Sequence, residues 1–239
     1  MVLCGGLGTR LRPAVADRPK VLAPVDGTPF LDYVLRYLRR EGARDVVLSV
    51  GYRAGMVRDF AGDGSRWNLH LRYAEEPEPL GTGGALRFAA HECDLSDSFL
   101  ALNGDTFFDG ALSRLARFHR ENKARASIAL TRIEQADRYG TVETNDEQAI
   151  TAFREKDESA GVPVWINAGV YVLAPELLAD VPPGEVVSLE RDVFPRYVSD
   201  EGSGGLFGCR FPNATFLDIG TPEDYERAET VLSQIEDRE

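Results

Sequence analysis

The residues with the clearest chemical potential stand at the start of the chain. Gly5, Gly6 and Gly8 share the first twenty positions with Arg10, Arg12, Arg18 and Lys20, against a single acid, Asp17, although the whole sequence carries a formal net charge of −12. Glycines where a strand hands over to a loop let the backbone approach an anion and aim several N–H groups at it. Cations crowded beside such amides repel one another unless a polyphosphate neutralises them. The expected ligand is therefore small and strongly negative. The turn is neither a P-loop, lacking the Gly-Lys-Ser/Thr ending, nor a GxGxxG dinucleotide loop. A solvated basic loop is the plain alternative.

Two aspartates far apart in sequence invite a second reading. Asp105 follows the apolar run Phe99-Leu102, and Asp218 follows Phe216-Leu217. Either carboxylate alone is read equally well as the cap of the next turn. Together they suit Mg²⁺, a hard ion usually held by one or two carboxylates plus substrate phosphates. His70, His91 and His119 fall outside these constellations and read as surface or packing residues, so no Ser/His/Asp arrangement is expected.

The elements that must position these groups follow from hydrophobic periodicity. Val2-Leu3-Cys4, the helical pattern from Phe30 to Leu38 closed by Gly42, and Val46-Val50 read as β-α-β. The alternation continues with a strand at His70-Tyr73, a helix from about Gly84 to His91, a strand at Phe99-Leu102, a helix near Leu112-Glu121 and a strand at Ser127-Thr131. This rhythm predicts a mainly parallel sheet between helices, with ligands beyond the carboxyl ends of the strands. After about Tyr139, shorter β-like pieces (Gly140-Glu143, Val164-Leu173, Leu206-Phe211) surround one helix at Leu189-Val198 and predict an antiparallel lobe for a second ligand. Thr221-Pro222-Glu223-Asp224 offers an N-cap, a proline at the first helical position and acids in the first turn, so Tyr225 to about Ile235 should close the chain as a helix. The first strand is unusually short for a central parallel strand. Either it is stunted or the natural start lies upstream.

Composition narrows the partners. A chain of 239 residues is expected to form one domain, with a first lobe over about 1–138, a second lobe over about 139–217, and a metal aspartate and closing helix over 218–239. Its acidity argues against nucleic acid or an anionic membrane surface as partner. Cys4, Cys93 and Cys209 show neither a disulfide framework nor zinc spacing, and no apolar stretch approaches a membrane span, so a soluble protein of a reducing cytoplasm is expected, monomeric or homodimeric.

Gly5-Gly-Leu-Gly-Thr-Arg-Leu-Arg-Pro13 followed by Pro19-Lys20 resembles the signature of the sugar-1-phosphate nucleotidyltransferases. The likeness continues in order through Leu80-Gly-Thr-Gly-Gly-Ala85, Asn103-Gly-Asp-Thr106, Arg138-Tyr-Gly140, Phe153-Arg-Glu-Lys156, Asn167-Ala-Gly-Val-Tyr171 and Asp218-Ile-Gly-Thr-Pro-Glu-Asp-Tyr225. It implies a Rossmann-like three-layer α/β/α fold with a small β-rich sugar lobe. It also implies an enzyme that joins a nucleoside triphosphate to a sugar 1-phosphate and releases pyrophosphate. By this resemblance Arg10, Lys20, Asp105 and Asp218 are catalytic, the two aspartates holding Mg²⁺. The nucleotide is expected on Leu3, Gly5, Gly6, Gly8, Thr9, Arg10, Glu76, Gly81 and Thr82, and the sugar phosphate on Asn103, Gly140, Glu155, Lys156 and Asn167.

The Leu-Gly-Thr form of the second motif is similar to that of guanylyltransferases, which favours GTP. Pro29-Phe-Leu-Asp-Tyr33, Ser49-Val-Gly-Tyr52 and Ser188-Leu-Glu190 resemble enzymes acting on D-glycero-α-D-manno-heptose 1-phosphate for cell-surface polysaccharide. Mannose 1-phosphate competes closely, and UTP or dTTP enzymes remain alternatives. A non-catalytic nucleotide-sugar sensor should have lost an aspartate, Arg10 or Lys20, and a glycosyltransferase would not need the glycine-arginine turn.

Overall fold

The computed structural model describes residues 1–6, 8, 11, 15, 17–133, 139–154, 163–198 and 205–236, residues 235 and 236 by their backbone alone. In chain order the strands and helices are β1 (Val2–Leu3), β2 (Pro24–Val25), β3 (Thr28–Pro29), α1 (Phe30–Arg40), β4 (Asp45–Val50), α2 (Ala54–Ala61), β5 (His70–Glu75), α3 (Gly81–Glu92), β6 (Phe99–Asn103), β7 (Thr106–Phe108), α4 (Leu112–Asn122), β8 (Ala126–Ile133), β9 (Thr141–Thr144), β10 (Ile150–Arg154), β11 (Val164–Leu173), α5 (Pro175–Ala179), β12 (Leu206–Phe211), β13 (Phe216–Asp218) and α6 (Pro222–Glu236).

The main sheet has nine strands in the order β10-β9-β11-β6-β1-β4-β5, with β8 pairing β11 and β12 pairing β8. Of these nine, only β10 and β11 run against the rest, which makes the sheet mainly parallel. Alternating side chains feed two cores on its two faces. Val46, Leu48, Val50, Leu102 and Val172 join the core beneath α1, α2, α4 and α6. Val47, Ala101, Tyr171 and Leu173 join the other, beneath α3, α5 and the segment around Leu189–Tyr197. The result is a layer of helices on each side of one sheet.

β1 is only two residues long, yet it sits centrally and pairs in parallel with both β4 and β6. Its brevity matters because the chain leaves the sheet at Cys4 and enters the glycine turn directly above the strand ends. The expected helix at Leu189-Val198 is instead a π-type turn, Leu189–Val193, running into a 3₁₀ turn, Phe194–Tyr197. Pro195 has no N–H to continue an α-helical ladder. Ser188 caps the turn, accepting from Arg191 N at 3.2 Å, while its own N–H donates to Asp192 Oδ2 at 2.7 Å. The sequence periodicity also missed α2 and β10. Of the histidines, His70 and His91 are exposed, and His119 is buried between Ser127 and Ser98. Among the described residues, no helix is long and apolar enough to cross a membrane.

Candidate active site

A second, smaller pairing brings the two aspartates together. β13 lies antiparallel to β7 with Asp218 opposite Thr106, and Ile219 N donates to the Asp105 carbonyl at 3.0 Å. Asp105 leaves β6 through Gly104, where a Cβ would stand 2.5 Å from the Leu3 carbonyl oxygen, so only glycine lets the chain turn this close to β1. Lys20, at the head of a 3₁₀ turn, reaches both carboxylates: its Nζ is 2.6 Å from Asp105 Oδ2 and 3.6 Å from Asp218 Oδ1. The lysine side chain is 10 % exposed, which strengthens these attractions relative to a surface pair. Asp218 is oriented by the Gly220 N–H, 2.7 Å from Oδ1.

The glycine turn forms the roof. Gly8 has φ +58 and passes so close to Lys20 that a Cβ would meet Lys20 Cβ at 3.2 Å. Gly5 faces Glu76, whose Oε1 would lie 2.5 Å from a Gly5 Cβ. Glu76 follows the end of β5 and is held by Ser49 Oγ, donating to Oε1 at 3.0 Å, and by Leu80 N, donating to Oε2 at 3.3 Å. Burial raises its pKa above the ordinary glutamate range, and the two hydrogen bonds only partly oppose that shift. Cys4 lies beside it, its thiol pushed up by burial and further by Asp105 and Glu76, so it stays protonated and is no nucleophile.

The opposite wall is the start of α3. Gly81 has φ +71, and a Cβ there would stand 2.6 Å from the Val187 carbonyl oxygen. Gly81→Ala is therefore expected to cost about 2 kcal/mol or more, the price of a left-handed alanine plus the clash, as read from the shift in melting temperature or urea midpoint. The same Val187 carbonyl accepts from Gly83 N at 2.8 Å and Gly84 N at 3.3 Å. Two first-turn amides of α3 are thus used inside the protein. Thr82 is committed too, its hydroxyl donating to Glu190 Oε2 at 2.9 Å and accepting from Leu189 N at 2.8 Å.

These walls enclose a cleft of about 480 Å³. Leu3, Gly5, Gly6, Gly8, Lys20, Glu76, Gly81, Thr82, Asn103 and Asp105, all singled out from the sequence, line it, together with Cys4, Val21, Pro79, Ala85, Val186 and Gly220, which were not. Val186, on the rim, is 73 % exposed. Asp218 borders the cleft through Lys20. Gly140 precedes β9, and Asn167 stands in β11; neither is part of the cleft wall. Thr9, Arg10, Glu155 and Lys156 lie outside the described residues. Arg18, counted in the basic start, forms a two-pronged pair with Asp17. Glu190, half-buried, and Tyr171, buried, partners of the wall residues, escaped sequence reasoning as functional groups, although both fall within motifs quoted above.

Two carboxylates converging on one ammonium fit the donor set of a divalent cation that shares its shell with phosphate oxygens. No cluster of three or more histidine, cysteine or acidic ligands occurs among the described residues, so a site closed by protein groups alone is not what these residues would build.

The nucleotidyl transferase family model matches residues 1–234. The chain belongs to the nucleotidyl transferase family. It is 36% identical over 233 residues to the mannose-1-phosphate guanylyltransferase of Mycobacterium tuberculosis, covering 97% of this chain and 64% of that longer protein. It is 35% identical to the D-glycero-alpha-D-manno-heptose 1-phosphate guanylyltransferase of Campylobacter jejuni, covering 94% of this chain and 96% of the relative. Identity to the heptose enzyme of Aneurinibacillus thermoaerophilus is 36%, over 97% of each. Among solved structures, HddC from Yersinia pseudotuberculosis complexed with GMP-PN superposes with a TM-score of 0.83 at 29% identity, over 97% of each chain. A nucleotidyl transferase of this family is an enzyme, and its fold is the mixed α/β arrangement described above.

Proposed function

We propose that this nucleotidyl transferase moves GMP from GTP to a sugar 1-phosphate, D-glycero-α-D-manno-heptose 1-phosphate first and mannose 1-phosphate second, forming a GDP-sugar and pyrophosphate. The observation that carries the proposal is the junction of Lys20, Asp105 and Asp218 at the foot of a cleft roofed by glycines. The sugar-phosphate oxygen is already an anion, so it needs no general base. Its bond to the α-phosphorus forms as the bond from that phosphorus to the departing pyrophosphate breaks. The obstacle is mutual repulsion of phosphates, which Lys20 and the backbone amides of Gly5, Gly6 and Gly8 reduce, with Arg10 and Lys156 assigned the same task by their motifs. Mg²⁺, held by Asp105 and Asp218, would supply further charge neutralisation.

Glu76 supports guanine as the base. A carboxylate only accepts hydrogen bonds, and both its oxygens keep lone pairs beyond those taken by Ser49 and Leu80. Guanine presents two adjacent donors, N1–H and the 2-amino group, on one edge. The uracil and thymine edges present one donor between two carbonyl oxygens, which a carboxylate repels. The two heptose relatives match along nearly their whole length, which ranks heptose first. The two sugars differ beyond C6, a difference worth only about 1–3 kcal/mol in a pocket without a dedicated hydrogen bond. The test is pyrophosphate release by purified protein with Mg²⁺, each of the four NTPs or dTTP, and a panel of sugar 1-phosphates. GTP with heptose or mannose 1-phosphate is the expected productive pair. Release with no pair would end the enzymatic reading, and release with UTP or dTTP alone would end the guanylyl one.

A further inference from the structure

We infer that Glu190 is a positioning residue for the acceptor sugar, setting through the Tyr171 hydroxyl the orientation of the Asn167 amide beside it and the direction in which the Asn103 amide faces the cleft. The inference rests on the reaction proposed above. Glu190 lies in the π-type turn after β11 and gathers three hydroxyl donors: Tyr171 to Oε1 at 3.1 Å, and Thr82 at 2.9 Å and Ser188 at 3.1 Å to Oε2. As a carboxylate it can only accept, so each of these protons is committed to it.

The consequence runs along a chain. Because the Tyr171 proton points at Glu190, the Tyr171 oxygen must receive, and it does so from Asn167 Nδ2 at 3.0 Å. Asn103 acts on the same hydroxyl from the other side, in the sense of a donor. Burial, with Glu190 beside it, keeps this tyrosine protonated well above its ordinary range. The other end of the Asn167 amide is held as well, its Oδ1 accepting from Gly169 N at 2.8 Å. Gly169 is at φ +67, and a Cβ there would stand 2.8 Å from Asn103 Nδ2, so the backbone makes room for that amide. Asn103 lines the cleft, and an amide whose nitrogen is held on the Gly169 side has its carbonyl oxygen to offer there. A sugar hydroxyl entering there meets an acceptor. One carboxylate thereby orders side chains from α3, β6 and β11.

A glutamine at position 190 can donate to Tyr171, which lets the tyrosine direct its single proton onward to Asn103 and that amide turn over, while Asn167 stays held by Gly169 N. Steady-state kinetics of Glu190→Gln, Tyr171→Phe and the double variant, with GTP and with heptose or mannose 1-phosphate varied in turn, test this. Glu190→Gln should raise KM for the sugar 1-phosphate about tenfold, one redirected hydrogen bond, with KM for GTP within about twofold. Tyr171→Phe should act in the same direction, and the double variant should be no worse than either single, since both cut one chain. Parallel rises in both KM values, additive effects, or a sugar KM that stays at the wild-type value would overturn the inference. Wild-type protein that releases no pyrophosphate with any pair would remove the reaction and this inference together, whereas an active wild type with a silent Glu190→Gln removes the inference alone.

Discussion

Asp105→Asn and Asp218→Asn are each expected to lower Mg²⁺-dependent pyrophosphate release by roughly a thousandfold, the upper end of what removing one charge-stabilising group costs. The side chains are isosteric, and the backbone that presents them is fixed elsewhere, by the β7–β13 pairing and by Gly104 against β1. The fold should therefore survive, and an unshifted melting temperature is part of the expected result. What changes is charge: Lys20 would face one carboxylate where it now faces two, and a divalent cation would lose one of its two acidic ligands. Turnover of either variant within about threefold of wild type, at saturating substrates, would mean that the metal is held elsewhere.

Glu76→Gln should produce the second largest effect, with activity and stability moving apart. Burial raises the folded-state pKa of Glu76, so its ionised form opposes folding at neutral pH, and that penalty is relieved as pH falls through the raised pKa. A glutamine removes the penalty and can still accept from Leu80 N and donate to Ser49 Oγ. The melting temperature at pH 7 should hold or rise, while kcat/KM for GTP falls by about a hundredfold through the loss of charged hydrogen bonds to guanine. In the wild-type protein, KM for GTP should climb as pH falls, beginning above the range of an ordinary glutamate. Equal losses for all four NTPs would show that Glu76 supports the turn and does not read the base.

Much of the molecule was legible in one dimension because its physical cause is local. The periodic runs specified α1, β4, β5, α4 and α6, and Thr221, whose hydroxyl accepts from Asp224 N at 3.2 Å, caps α6 as its spacing promised. Gly5, Gly8 and Gly81 announced close approaches by lacking a side chain. Three outcomes depended on contacts between distant segments. The closeness of Asp105 and Asp218 comes from a three-residue strand pairing across about a hundred positions, too short to leave a pattern. The turn at Leu189–Val193 replaced a helix because Pro195 withheld a donor and Ser188 supplied a cap. Glu190 was legible only as the end of a short motif, with no role of its own; its three hydroxyl donors arrive from β11, α3 and its own turn. Propensity and glycine geometry act between neighbours in the chain, whereas a carboxylate acquires its role from whatever the sheet and helices bring within 3 Å of it.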